Sequence, residues 1–252
     1  MIAMITAYAA NNVLELQMQA AEFDNAKTGM RLLMDVITDV GLRHGSGSSV
    51  RFNSRAGRFN VIEMSNGMKK IYLKVELIAG EERITLIDTS ETLEPLLNIT
   101  YGGGTYMSTL SPLNIGTNDL KVESTSMPLG WLRTRQENGA WIKLDFNRVR
   151  IIPSGIVNIA GTNYYCLDIA FIQMIKGDFS GAYPPTLNVK VQNVGIDIDT
   201  VMTEESTIKI KVSFITEDSV IITEESDYSS QNSEPIVVNI TKAMVSISIT
   251  GG

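Results

Sequence analysis

From about residue 3 to residue 41 the chain has no proline and a single interior glycine, Gly29. Over that run Val13, Leu16, Ala20, Phe23, Met30, Leu33, Ile37 and Val40 recur mostly three or four residues apart. That spacing puts them on one stripe of a helix, with one gap where Lys27 interrupts it. Gly41 is a natural stop, and the Gly45–Ser49 run after it reads as a loop. A helix of ~38 residues is nearly ~57 Å long at ~1.5 Å per residue. Few domains of this size are that wide, so part of the helix is expected to project from the body or to lie against another chain. The stretch from Met1 to Leu14 carries no charged side chain, and Glu15 is the first.

After residue 49 the pattern changes to strands. Ile71, Leu73, Val75 and Leu77 alternate with Tyr72, Lys74 and Glu76, and Ile84–Leu86 repeats the alternation. Asn66-Gly67 and Asn138-Gly139 read as hairpin turns, the second flanked by Trp131–Arg133 and Trp141–Phe146. Further strands are predicted at 148–152, 155–159, 163–174, 186–194, 207–215, 218–223 and 235–249. In the last, Val238 and Ile240 share one parity and Val245, Ile247 and Ile249 the other, which predicts a bulge near Lys242–Met244 or two strands. Residues 89–128 read as loops and short strands, and Glu224–Glu234 as a solvated loop. The expected fold is mainly β: a long N-terminal α-helix (1–43) followed by an antiparallel β-sandwich, or a partly open barrel, over 50–252. Further helices do not alternate with the strands, which argues against a parallel α/β fold.

Composition narrows the function classes. A net charge of −7 argues against a nucleic-acid partner, because phosphate binding needs a basic surface. The one cysteine, Cys166, allows no internal disulfide or thiolate zinc cluster, and the one histidine, His44, removes most histidine catalysis. No run of ~18–20 apolar residues spans a bilayer. His44 beside Arg43 reads as a partner of the helix C-terminus, and Cys166 as a buried thiol within a strand. Gly102-Gly103-Gly104-Thr105 lacks the lysine of a phosphate loop. Asp197, Asp199, Glu204 and Glu205 lack the glycine of an EF-hand, so a solvated face is favoured over a Ca²⁺ site. Arg43, Arg51, Arg55 and Arg58 concentrate positive charge after the helix, as an inter-subunit patch facing acidic loops at 197–205 or 217–227 or as scattered surface charge. Asn98-Ile99-Thr100 and Asn239-Ile240-Thr241 match the glycosylation acceptor pattern, naming Asn98 and Asn239. No pair of acids is singled out as a glycosidase would require. Neither a catalytic residue nor a cofactor is predicted, and the chain is expected not to be an enzyme.

The stretch Leu16–Arg43, followed by Val50-Arg51-Phe52-Asn53, resembles exported archaeal proteins of the type IV pilin-like class. Arg148–Asn158 followed by Tyr165–Lys176 is similar in layout to their ectodomains. The resemblance implies a cell-surface or envelope protein in which an N-terminal helix carries a β-rich body. It implies assembly with copies of itself through Val13, Leu16, Ala20, Phe23, Met30, Leu33 and Ile37, or membrane anchoring through a segment upstream of Met1. The leader and processing site of that class are not seen in the sequence. The alternative is a monomeric extracellular β-sandwich that binds a glycan or protein through loops at 99–118 or 224–234, with Tyr101, Tyr106 and Tyr228 exposed.

Overall fold

A computed structural model of the chain describes residues 2–53, 57–102, 112–179 and 186–251, with side chains from residue 10 onward in the helix. Helix α1 (Ile2–Gly41) is followed by β1 (Gly47–Asn53), β2 (Arg58–Glu63), β3 (Ser65–Asn66), β4 (Lys69–Lys70), β5 (Tyr72–Ala79) and β6 (Glu82–Asp88). Next come β7 (Leu97–Gly102), β8 (Asn114–Ile115), β9 (Lys121–Val122), β10 (Trp131–Gln136), β11 (Ala140–Asp145) and β12 (Val149–Ile159). The chain ends with β13 (Thr162–Phe179), β14 (Thr186–Met202), β15 (Thr207–Ile215), β16 (Val220–Ser229) and β17 (Ile236–Gly251). The molecule is therefore mainly β behind one N-terminal helix, as its sequence predicts.

Three larger sheets form the body. The six-stranded sheet runs β1-β14-β17-β13-β12-β9, the five-stranded sheet β2-β7-β11-β10-β8, and the four-stranded sheet β16-β15-β5-β6. Most pairs are antiparallel, but β17 runs parallel to β13 along nearly its whole length, and β9 parallel to β12. Strands β13, β14 and β17, of 18, 17 and 16 residues, are long enough to serve two cores.

Their side chains show how. In β17, Ile236, Val238 and Ile240 face the four-stranded sheet, packing with Leu73, Val75, Ile208 and Ile210. Ala243, Val245, Ile247 and Ile249 have the opposite parity and pack with the helix and the five-stranded sheet, among them Ile37, Phe59 and Ile142. Strand β13 does the same: Leu167, Ile169 and Phe171 face one core, Ile172 and Met174 the other. Successive residues of a strand point to opposite faces, so the six-stranded sheet buries one face at one end and the other face at the other.

This corrects the expectation at Lys242–Met244. β17 is one unbroken strand whose parity changes because its covered face changes. The bulge lies across the ladder in β14, where Asn193 pairs with Val245 and Gly195 with Met244, leaving Val194 as the extra residue. The stretches expected at 148–152 and 155–159 are likewise one strand, β12, carrying a bulge between Pro153 and Gly155. The segment read as a solvated loop from Glu224 is strand β16 as far as Ser229. Glu224 accepts from the backbone N–H groups of Leu120 and Lys121, and Tyr228 donates to Glu123. The Asn138-Gly139 hairpin forms with a three-residue loop, since Gln136 pairs with Ala140; both turn residues take positive φ, 50° and 133°.

The bulge in β14 aims Asn193, which is 3% exposed. Its Nδ2 donates to the carbonyls of Val40 and Gly41 at 3.2 and 3.1 Å; Val40 also accepts from the Arg43 N–H and the Ser46 hydroxyl, whereas Gly41 is an acceptor that the helix C-terminus leaves open. Gly29 fits the same contact surface: a Cβ there would sit 2.7 Å from the Phe52 ring, so helix and β1 approach only because the side chain is absent. Asn193→Ala is expected to lower stability by about 1–2 kcal/mol, chiefly through the Gly41 carbonyl it leaves unpaired. Gly29→Leu should cost about 1–3 kcal/mol despite leucine's better helix propensity. Urea unfolding of each variant checks both.

Candidate functional site

The helix is two objects end to end. From Phe23 onward its stripe lies inside the body: Phe23, Ala26, Met30, Leu33, Met34, Ile37 and Val40 are buried in the core formed with the five- and six-stranded sheets. From residue 10 to residue 18 the side chains are exposed. Val13, Leu14, Leu16 and Met18 are 53%, 56%, 53% and 56% exposed, and Ala20 marks the half-buried transition. Of the residues expected to form an assembly surface, Phe23, Met30, Leu33 and Ile37 are occupied by the chain's own sheets, which leaves Val13 and Leu16 outside. The reason is that one stripe cannot serve the body and a neighbour at the same level of the helix.

Two polar contacts mark where the helix enters the body. Glu22 Oε1 accepts from the Tyr101 hydroxyl at 2.8 Å and from the Gly57 N–H at 3.1 Å, joining the helix to the five-stranded sheet. Gly57 must be a glycine there, because a Cβ would fall 2.0 Å from the Tyr101 hydroxyl oxygen. One turn on, Lys27 is 7% exposed, 2.8 Å from Asp24 and over the Phe23 ring. The apparent break in the apolar stripe is therefore a lysine whose stem is buried and whose charge is paired. Beside this entry a shallow depression of about 390 Å³ runs along the helix, lined by Glu15, Met18, Gln19, Glu22 and Asn53.

The other sequence candidates are dispersed. His44 is exposed beyond the helix end, and Cys166 is 7% exposed, its Sγ 3.1 Å from the Asn239 amide. Asp197 and Asp199 are exposed on β14, and among the described residues no three His, Cys, Asp or Glu side chains gather as a metal site. The arginines lie on separate elements. Arg43 pairs with Asp39 on the helix, Arg51 lies on β1, Arg58 on β2 in a different sheet, and Arg55 falls outside the described residues. Gly102 closes β7, and Gly103-Gly104-Thr105 lie outside the described residues.

Of the three loop aromatics, the two among the described residues are not exposed. Tyr101 is fully buried in β7, Tyr106 lies outside the described residues, and Tyr228 is half-buried on β16. Burial, then the Glu123 carboxylate that its hydroxyl meets, pushes the Tyr228 phenol above its usual range. Asn239 sits mid-sheet on β17, its Nδ2 donating to Asp168 at 2.9 Å as well as to Cys166. Asn98 is likewise half-buried, on the outward face of β7.

Sequence reasoning missed Glu22 and Asn193, because nothing local marks a helix carboxylate or a strand amide that finds its partner 79 or 153 residues away. It also missed a buried ion cluster. The Asp145 carboxylate meets Arg133 at 2.9 Å and also bonds Arg148, while Arg133 stacks 3.4 Å from the Trp131 ring. Burial holds the Arg133 guanidinium below its usual pKa, and Asp145 opposes the shift. All of these groups are internally paired, which makes the cluster a brace of the β10–β11 hairpin.

The division of the helix sets a direct expectation. Phe23→Ala should destabilise the monomer by about 3–5 kcal/mol, whereas Leu16→Ala should change it by less than about 0.5 kcal/mol; thermal unfolding at low protein concentration distinguishes the two. Among the described residues, no helix is long and apolar enough to cross a membrane. No family model matches the chain, and comparison with curated proteins and with solved structures returns no match.

Proposed function

We propose that this chain is a structural subunit, pilin-like in plan, that assembles with copies of itself through the projecting half of its helix and performs no catalysis. The observation that carries this is the distribution of exposed apolar side chains before Phe23. At about 3.6 residues per turn, Val13, Leu14, Leu16 and Met18 point to widely separated sides of the helix. A helix that docks into one groove needs one apolar stripe, whereas here apolar side chains spread over several sides, interleaved with Asn11, Asn12, Gln17 and Gln19, suit contacts with more than one neighbour. Neighbouring helices of the same kind provide those contacts. Through residue 21 the only charged side chain is Glu15, so little opposes close packing of copies.

The embedded half supplies the complementary requirement, a rigid mount. Glu22 and Asn193 hold the buried segment near its two ends, so the exposed segment leaves the body in a fixed direction. A contact repeated head to tail in one direction builds open filaments rather than closed rings. A role of this kind belongs outside the cell or in its envelope, in keeping with the pilin-like resemblance.

Light scattering and negative-stain electron microscopy test the reading on three proteins: the full chain, a version lacking residues 1–18, and Leu14→Glu/Leu16→Glu. The truncation keeps Glu22 and everything after it, so the body retains its contacts. Large assemblies or filaments are expected from the full chain alone, with both altered proteins monomeric. Monodisperse monomers from all three would remove the helix as an assembly element.

A further inference from the structure

The outward face of the five-stranded sheet carries a second feature, independent of the helix. Its inner face is apolar, with Phe59, Val61, Ile99, Tyr101, Ile142 and Leu144 in the core. Alternation therefore turns Asn60, Asn98, Thr100, Trp141 and Lys143 outward on three adjacent strands. The register aligns them in rows: Asn60 pairs with Thr100 and Thr100 with Lys143, while Arg58 pairs with Gly102 and Gly102 with Trp141. Between them is a depression of about 470 Å³, a volume suited to a small ligand.

Each part of its lining has a distinct chemistry. Trp141 forms a wall, lying over Gly102, where any Cβ would come within 2.5 Å of the indole. Its Nε1 donates to the Glu137 carbonyl at 2.9 Å, which fixes the ring in place. Thr100 is 4% exposed and lines the same depression, yet its Oγ1 has no hydrogen-bond partner among the described residues. A buried hydroxyl left unpaired costs free energy that a ligand group can recover. Asn98 and Asn138 add amides that both donate and accept. The Glu137 carboxylate is paired with Arg135 at 3.0 Å, and Lys143 has no carboxylate partner among the described residues. In a chain of net charge −7, Lys143 is the one cation among the residues that line this depression, and Arg58 lies on the same sheet opposite Gly102.

We propose that this depression binds a saccharide unit bearing a carboxylate. The Trp141 ring packs on the apolar face of the sugar, Asn98, Asn138 and Thr100 meet its hydroxyls, and Lys143 meets the carboxylate. A polyphosphate is disfavoured because Lys143 is the one cation in the lining, where several would be needed to match its charges. An acidic peptide would use the cation but leave the array of amides and hydroxyl poorly matched.

Isothermal titration calorimetry on the full chain tests the assignment with three probes: tetragalacturonate, the neutral cellotetraose and a tetraglutamate peptide. Tetragalacturonate is expected to bind more tightly than either of the others. Trp141→Ala should abolish binding, and Lys143→Gln should weaken tetragalacturonate about tenfold without weakening cellotetraose. Thr100→Val, which keeps the shape and removes the hydroxyl, should weaken it too. Wild-type melting temperatures in the Lys143 and Thr100 variants keep the test valid even if Trp141→Ala fails to fold. Absence of tetragalacturonate binding, equal binding of tetraglutamate, or indifference to Lys143→Gln and Thr100→Val would each overturn the assignment.

Discussion

The structure depends on one sheet that buries opposite faces at its two ends. Strands β13, β14 and β17 run from a core shared with the four-stranded sheet into a core shared with the helix and the five-stranded sheet. Strand geometry alone makes this possible, because even and odd positions face opposite ways along an unbroken strand. The bulge at Val194 adjusts the ladder where the change of face occurs and turns Asn193 toward the helix end. Sheet packing and helix placement are thus set at one location.

The helix inherits its division from that arrangement. Its second half fills the space between two sheets and is held by hydrogen bonds that reach across the chain, Glu22 to Tyr101 and Asn193 to Val40 and Gly41. Its first half has no sheet to cover it. The amphipathic stripe seen in the sequence runs on both sides of Phe23, but only residues from Phe23 onward use it within the molecule. Before Phe23 the apolar side chains spread round the helix, a pattern that a stripe-based reading passes over.

Much of the architecture was legible because local patterns and burial agreed. The helix stops at Gly41 as its glycine predicts, and the Trp131–Asp145 hairpin forms round Asn138-Gly139. Where reading failed, the cause lay at long range. The parity change in β17 reads as a local fault because a single strand does not reveal that two different layers cover it in turn. Glu224–Ser229 reads as a loop because its polar side chains find partners in Leu120, Lys121 and Glu123, about a hundred residues away. The outward face of β2, β7 and β11 was hidden for a related reason. Asn98, Thr100, Trp141 and Lys143 come from separate segments, and only the register of the sheet makes them neighbours.

The position of β17 has a consequence for the order in which the molecule takes shape. β17 follows every other strand of the body in sequence, yet it is not an edge but the middle of the six-stranded sheet, with β13 on one side and β14 on the other. Until Ile236–Gly251 is available, β13 and β14 lack their shared partner and both cores lack a wall. Closure of both cores therefore waits for β17, a sixteen-residue strand that slots between two strands made before it.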